Sequence, residues 1–151
     1  MEQSRLCFFS GAGAYQYAGA RKTPFSYSES RALCRAGAGA TRLRQYGGDG
    51  QPQTQAALLM RVKHYGLSLA ESVASPRWLY GRTWGEISAG LRLEQRYSRT
   101  VFEDLQRWGH QVSWVPGYSD FMGHAGMVAR DLEGRFAGAA DPRSDGSVAM
   151  P

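Results

Sequence analysis

Residues 47–55 read Gly-Gly-Asp-Gly-Gln-Pro-Gln-Thr-Gln, and the character of the chain changes at this stretch. The 46 residues before it contain no valine, isoleucine or aspartate and only three leucines. After it, apolar residues recur at helical and strand spacing, as they do in a compact domain. We therefore predict that residues 47–151 form the folded part and that residues 1–46 are a low-complexity, poorly ordered segment.

The first segment is rich in glycine and alanine, above all in residues 10–20 and 35–40. Burial of these small side chains offsets little of the entropy that is lost when a chain becomes ordered. Two interpretations are open. The segment is a natural disordered extension, or it is text translated out of frame, since its bias toward Arg, Gly, Ala, Ser and Cys comes with almost no aliphatic residues.

The net charge of +5 is located in that first segment. Residues 1–46 hold seven basic and two acidic side chains, a balance of +5, whereas residues 47–151 hold eleven of each. A nucleic-acid footprint places its excess Arg and Lys on the folded part, so we expect no nucleic-acid partner. The alternative function that this charge suggests is a non-catalytic binding module, whose basic N-terminal arm binds anionic partners.

The sequence gives no support for a metal, cofactor or membrane site. Cys7 and Cys34 lack Cys-x-x-Cys spacing and a histidine partner, so we expect no metal and no cofactor. Residues 6–9 are too short for the apolar core of a signal peptide. No apolar run reaches the roughly 20 residues of a membrane helix. The expectation is a cytoplasmic chain without membrane contact.

Apolar periodicity after residue 50 predicts three helices and four strands in mixed order. The helices are predicted at 53–65, 69–74 and 100–108, and the strands at 91–94, near 112–114, at 125–130 and at 135–140. The last helix is the clearest, because Ser98 or Thr100 can cap it and Gly109 can end it. This order fits a layered α+β fold better than a Rossmann alternation.

Four stretches of the second segment, taken in order, resemble the C-terminal half of the small subunit of a γ-glutamyltransferase. They are residues 47–55 (GGDGQPQTQ), residues 65–67 with 74–78 (YGL and ASPRW), Gly109-His110, and residues 138–143 (GAADPR). With the intervals between them, they cover residues 47–146. The first stretch and residues 79–85 (LYGRTWG) resemble most an amidohydrolase-like branch, which includes enzymes assigned to oxamate as well as to γ-glutamyl compounds.

The resemblance implies an N-terminal-nucleophile hydrolase with an αββα sandwich, of which this chain would form a part. In that family a precursor cleaves itself, and the new N-terminal threonine attacks the amide carbonyl with its own α-amine as the base. Two adjacent glycine N–H groups stabilise the oxyanion that forms, and Gly47 and Gly48 match these glycines.

The other parts of that site have no counterpart in residues 1–46, where no threonine begins a small-subunit-like sequence. We therefore expect the isolated chain to be inactive, and whether the chain is itself an enzyme stays open. The family implies that a large subunit, or a missing N-terminal part of the precursor, completes the site for a small-molecule amide. The sequence does not choose between γ-glutamyl compounds and small amides as substrates.

A few polar residues have both a structural and a functional interpretation. Asp49, like Gln51 and Gln53, stands at the entrance of the first predicted helix, where capping is favoured over substrate contact. His124 lies in a loop of a kind that can reach a site, and it is a weak candidate for substrate binding. Arg143, between two aspartates, is expected to anchor the C-terminal turn by charge-assisted hydrogen bonds.

Overall fold

The computed structural model describes residues 30–36, 39–81 and 90–149, which contain seven strands, three α-helices and two short 3-10 turns. In chain order these are β1 (Ser30–Ala36), β2 (Gly39–Tyr46), a 3-10 turn (Gly48–Gly50), α1 (Gln51–Lys63), α2 (Leu69–Ala74), β3 (Trp78–Tyr80), β4 (Leu91–Glu94), α3 (Arg99–Arg107), β5 (Val112–Val115), a 3-10 turn (Asp120–Met122), β6 (His124–Arg130) and β7 (Phe136–Ala140). The mixed order confirms the predicted α+β class.

The strands form two sheets. The larger sheet is antiparallel with the order β1-β2-β6-β7, so β2 is an internal strand although it comes early in the chain. The smaller sheet has the order β3-β4-β5, antiparallel between β3 and β4 and parallel between β4 and β5. A parallel pair needs a long crossover connection, and α3 lies in the one that joins β4 to β5.

The hydrophobic core lies between the larger sheet and the helices α1 and α2. Its buried side chains are Leu43, Leu58, Leu59, Val73, Ala125, Met127 and Ala139. Leu43 of β2 stands opposite Met127 of β6, and both are fully buried. On the other face of the same strands, Arg42 and Val128 stand opposite each other and are exposed. Within the described chain, the larger sheet therefore has one covered face and one open face.

The ends of α1 and α2 follow from their sequences. Pro52 lies in the first turn of α1, where its missing N–H has no helical partner to lose. Gly66 has a φ of 70° and ends the run after α1, as predicted. At the start of α2, the Ser68 hydroxyl accepts from the Glu71 N–H at 3.2 Å, and the Glu71 carboxylate accepts from the Ser68 N–H at 2.9 Å. This capping box explains why a helix of only six residues forms here.

Helix α3 also matches its prediction in position. Ser98, one of the two predicted caps, accepts a hydrogen bond from the Val101 N–H at 3.3 Å. Phe102 stacks on Trp114 of β5 with 4.4 Å between ring centroids, which fixes the helix against the smaller sheet. Trp108, which follows the last residue of α3, is 75% exposed. Within the described ranges, no helix is long and apolar enough to cross a membrane.

The prediction that residues 1–46 are poorly ordered is wrong for β1 and β2, which make up seven and eight of these residues. For residues 1–29 and 37–38 the prediction lies outside the described part of the chain. The interpretation that residues 1–46 are translated out of frame stays a prediction, and translation of the gene in all three frames would decide it.

Strand β2 escapes a search for aliphatic residues because its inward face is mostly polar. Thr41, Leu43 and Gln45 are buried, whereas Arg42 and Arg44 between them are exposed. This alternation has the period of two that a half-buried strand requires. One leucine is enough because α1 and β6 supply the rest of the apolar area that packs at this place.

If β2 is an integral strand, replacing Leu43 by alanine will cost about 2–5 kcal/mol of unfolding free energy, because a large cavity is left in the core. We expect Arg42→Ala, one residue away on the open face, to change the stability by less than about 0.5 kcal/mol. Urea unfolding of both variants measures the difference. Equal effects would show that β2 does not belong to the cooperative fold.

Candidate active site

The two glycines that match the oxyanion pair lie between the end of β2 and the start of α1. Gly48 has a φ of 57°, a conformation that glycine adopts at little cost. A Cβ atom placed on Gly48 would meet no other atom within 4 Å, so one side of this residue faces open space. Gly47 is buried, and a Cβ atom there would lie 3.1 Å from the Cα of Gly123. The loop is therefore packed on one side and open on the other.

Gly123 supports the loop from the packed side. It has a φ of 72°, and a Cβ atom on it would collide with the carbonyl oxygen of Tyr46. Glycine is required here both for the backbone conformation and for the close approach of two chain segments. The amide nitrogen of Gln45 would lie 3.4 Å from the same Cβ position, so the buried end of β2 completes this contact.

The structure brings His124 next to the glycines, which its distance in sequence does not suggest. His124 pairs with Tyr46 across β2 and β6, and the two rings stack with centroids 6.4 Å apart. Its Nε2 atom is buried and has no hydrogen-bond partner among the described residues. Because Tyr46 directly precedes Gly47, His124 lies at the same end of the larger sheet as the glycine loop.

Capping by a side chain near the start of α1 was expected, and the N-cap residue is Gly50, which has no side chain. Gln53 instead pairs with the backbone of Tyr80, donating to its carbonyl at 2.7 Å and accepting from its N–H at 2.9 Å. These two hydrogen bonds connect α1 to β3. Asp49 lies in the 3-10 turn beside the glycines, and its side chain is outside the described part.

Four buried charged side chains join the two sheets near this loop. The sequence analysis did not predict that they come together. Arg77 and Arg143 are the cations, and Glu94 and Asp141 are the anions, so the set is neutral. Arg143 forms two hydrogen bonds with the Glu94 carboxylate, both at 2.6 Å, and a third with Asp141 at 3.0 Å. The side chains of these three residues are fully buried. The expected anchoring role of Arg143 is thus confirmed, and it extends to β4.

Arg77 connects this set to the segment behind the glycine loop. One guanidinium nitrogen donates to the carbonyl oxygen of Gly123 at 2.7 Å, and the other binds Asp141 at 2.6 Å. The same oxygen of Asp141 accepts the Ala125 N–H at 2.7 Å. Burial lowers the pKa of Arg77 to about 10, and the charge of Asp141 opposes this shift. Arg77 therefore remains a cation at neutral pH.

For Arg143, burial acts to lower the pKa, but the hydrogen bonds and charges of Glu94 and Asp141 outweigh it, and the pKa is raised. The sequence signal for this set is the recurrence of Arg directly after Pro, in Pro76-Arg77 and in Pro142-Arg143. Nothing in the local pattern of β4 marks Glu94 as their partner. In the described ranges, no group of three or more His, Cys, Asp or Glu side chains is placed to hold a metal ion.

The family model of γ-glutamyltranspeptidase matches residues 8–150, and the chain therefore belongs to the γ-glutamyltranspeptidase family. The match begins 39 residues before Gly47, so the similarity reaches further upstream than the stretches that first indicated it.

Two relatives are similar in sequence. The chain is 50% identical over 103 residues to the oxamate amidohydrolase proenzyme of Klebsiella pneumoniae, a match of 68% of this chain and 20% of that protein. It is 39% identical over 128 residues to the glutathione hydrolase-like YwrD proenzyme of Bacillus subtilis, a match of 85% of this chain and 24% of that protein. The chain thus spans between a fifth and a quarter of the length of these relatives.

Solved structures agree on the fold. The transpeptidase CapD of Bacillus anthracis matches with a TM-score of 0.69 and 19% identity, over 82% of this chain and 70% of that one. A γ-glutamyltranspeptidase of Helicobacter pylori matches with a TM-score of 0.67 and 24% identity, over 84% and 66% respectively. Both neighbours share the fold of this chain, in agreement with the predicted α+β class.

We expect Arg143→Met to lower the unfolding free energy by about 3–5 kcal/mol, because it leaves the buried carboxylate of Glu94 without the two hydrogen bonds from Arg143, while Asp141 keeps Arg77 as its cationic partner. The matched control is Arg135→Met, which removes an ion pair to Asp131 from a side chain that is 76% exposed. That change should cost at most about 1 kcal/mol. Calorimetric or urea unfolding measures both. Similar small losses would mean that the buried set does not stabilise the fold.

Proposed function

We propose that this chain is the part of a γ-glutamyltransferase-like amide hydrolase that supplies the oxyanion donors, through the backbone N–H groups of Gly47 and Gly48. The observation that carries the proposal is the Gly48 conformation, with φ at 57° and open space on the side where a Cβ would stand. A substrate carbonyl can approach the backbone closely only at such a position. The membership of the chain in the family supports the assignment.

The chemistry follows from where charge develops. When a nucleophile attacks an amide carbonyl, the carbonyl oxygen becomes an oxyanion, and donors placed around it lower the barrier by about 2.7–4 kcal/mol each. The loop leads through a 3-10 turn into α1, whose N-terminal end carries partial positive charge. That charge adds to the stabilisation of an anion next to Gly48.

The nucleophile has to come from outside the described part. The family resemblance implies the N-terminal threonine of a small subunit, and we propose that a large subunit or another part of a precursor completes the site. The similarity to two proteins called proenzymes supports this. Their names also give the two substrate classes to test, a small amide such as oxamate and a γ-glutamyl compound. His124 and Asp49 are the substrate-binding candidates nearest to the glycines.

We expect the purified 151-residue chain to hydrolyse neither oxamate nor γ-glutamyl-p-nitroanilide. A hybrid of the Klebsiella pneumoniae proenzyme, in which residues 47–149 replace the matching segment, should hydrolyse at least one of them. In that hybrid, Gly48→Ala should lower kcat by about 100-fold, because a side chain disfavours a φ of 57° and the displaced N–H no longer points at the oxyanion.

The control is Gly134→Ala, because Gly134 also has a positive φ, 84°, but lies in the β6–β7 hairpin. It should leave kcat within about threefold, because backbone strain in the hairpin does not change the geometry of the glycine loop. Turnover by the isolated chain would contradict the assigned division of the site. A Gly48→Ala hybrid with unchanged kcat would contradict the oxyanion role.

A second candidate function is binding of an anionic partner through the open face of the larger sheet. Arg42, Arg44 and Arg130 are exposed on neighbouring strands of that face. Salt-dependent binding of anionic lipid vesicles, lost in an Arg42→Ala, Arg44→Ala double variant, would favour it.

A further inference from the structure

We propose that Arg77, held by Asp141, is a positioning residue for the oxyanion loop, because it fixes Gly123, against which Gly47 packs. The inference rests on the proposed function of Gly47 and Gly48. It adds a residue from outside the loop, 46 positions from Gly123 in the sequence, to the machinery of the reaction.

The Arg77–Asp141 ion pair forms hydrogen bonds with the backbone of the segment behind the loop at two points. Arg77 donates to the Gly123 carbonyl at 2.7 Å, and its partner Asp141 accepts from the Ala125 N–H at 2.7 Å. The carbonyl of residue 123 and the N–H of residue 125 are therefore both fixed by a pair whose own separation is 2.6 Å. The side chains of this pair are 2% and 0% exposed, so water does not compete for the contacts.

The next contact is the one between Gly123 and the glycine loop. The two segments lie so close together that there is little room for a side chain on either of them. A Cβ atom on Gly47 would lie 3.1 Å from the Cα of Gly123, and a Cβ atom on Gly123 would collide with the carbonyl oxygen of Tyr46. Packed backbone cannot yield as a flexible side chain does. A displacement of Gly123 is therefore passed on to Tyr46 and Gly47.

The contacts of Arg77 require two hydrogen-bond donors in a fixed arrangement. The two terminal nitrogens of Arg77 bind different partners, a carbonyl on one side and a carboxylate on the other. A planar guanidinium presents both donors in a fixed fork, whereas the ammonium of lysine is a single point charge. Lysine can keep the charge next to Asp141 but not both contacts. Arg77→Lys therefore tests position rather than charge.

The experiment uses the whole 151-residue chain and the backbone amide NMR signals of its glycines. We expect Arg77→Lys to shift the Gly47, Gly48 and Gly123 signals, while those of Gly66 and Gly134, which lie in remote turns, stay in place. The matched control is Arg143→Lys, in the same buried set but without a contact to Gly123. It should lower the melting temperature and leave the Gly47 and Gly48 signals unshifted.

The proposal is overturned if Arg77→Lys and Arg143→Lys shift the Gly47 and Gly48 signals equally. It is also overturned if a folded Arg77→Lys variant shifts neither the Gly47 nor the Gly48 signal. Should Arg77→Lys fail to fold, Gly123→Ala decides, because it leaves the ion pair intact and forces Gly123 away from Tyr46. Signals of Gly47 and Gly48 that stay in place in that variant also overturn the proposal.

The hybrid proenzyme separates this inference from the proposed function. There, Arg77→Lys should lower kcat by about 100-fold with KM unchanged, the cost of a displacement of about 1 Å at a reacting centre. Arg143→Lys should leave kcat within about threefold. An inactive parent hybrid contradicts the proposed function alone, since the NMR comparison does not depend on turnover. An active hybrid in which Arg77→Lys changes KM and not kcat overturns the positioning role.

Discussion

The structure depends on one neutral set of buried charges, in which Arg77 and Arg143 face Asp141 and Glu94. Each charge alone would be costly to remove from water, and the set persists because every member has an opposite partner and further backbone contacts. Through these contacts it ties together the end of α2, the end of β4 and the end of β7, which belong to different layers of the fold. The apolar core packs α1 and α2 on the larger sheet, and the charges determine how the smaller sheet is joined to it.

The glycine loop has two opposite requirements, and the fold meets them on opposite sides. A donor for a developing oxyanion has to be fixed in advance, since donors that must reorient at the moment of reaction help less. It also has to be accessible to substrate. Gly47 is packed against Gly123, while the far side of Gly48 is open. The two glycines differ in their surroundings although they are adjacent in the chain and identical in chemistry.

Sequence patterns predicted what is local and missed what is long-range. The helices α1, α2 and α3 were predictable because their apolar periods and caps lie within a few residues of one another. Strand β2 was not, because two of its three inward residues are Thr41 and Gln45, and only the helix above it reveals that they are buried. The position of His124 next to the loop depends on its register opposite Tyr46, which no local pattern contains. The glycine pair was found by resemblance to a family, and its supporting residues only in three dimensions.

The separation of the charged partners along the chain has a consequence for the order of folding. Arg77 and Asp141 are 64 residues apart, and Glu94 and Arg143 are 49 apart. Contacts between residues so distant in sequence form late, because closing a long loop costs entropy before any contact is gained. While the chain is being synthesised, Arg77 leaves the ribosome before Asp141 and at that stage does not have this carboxylate to bind. The geometry of the glycine loop is therefore completed only after the segment that contains Asp141 has been made.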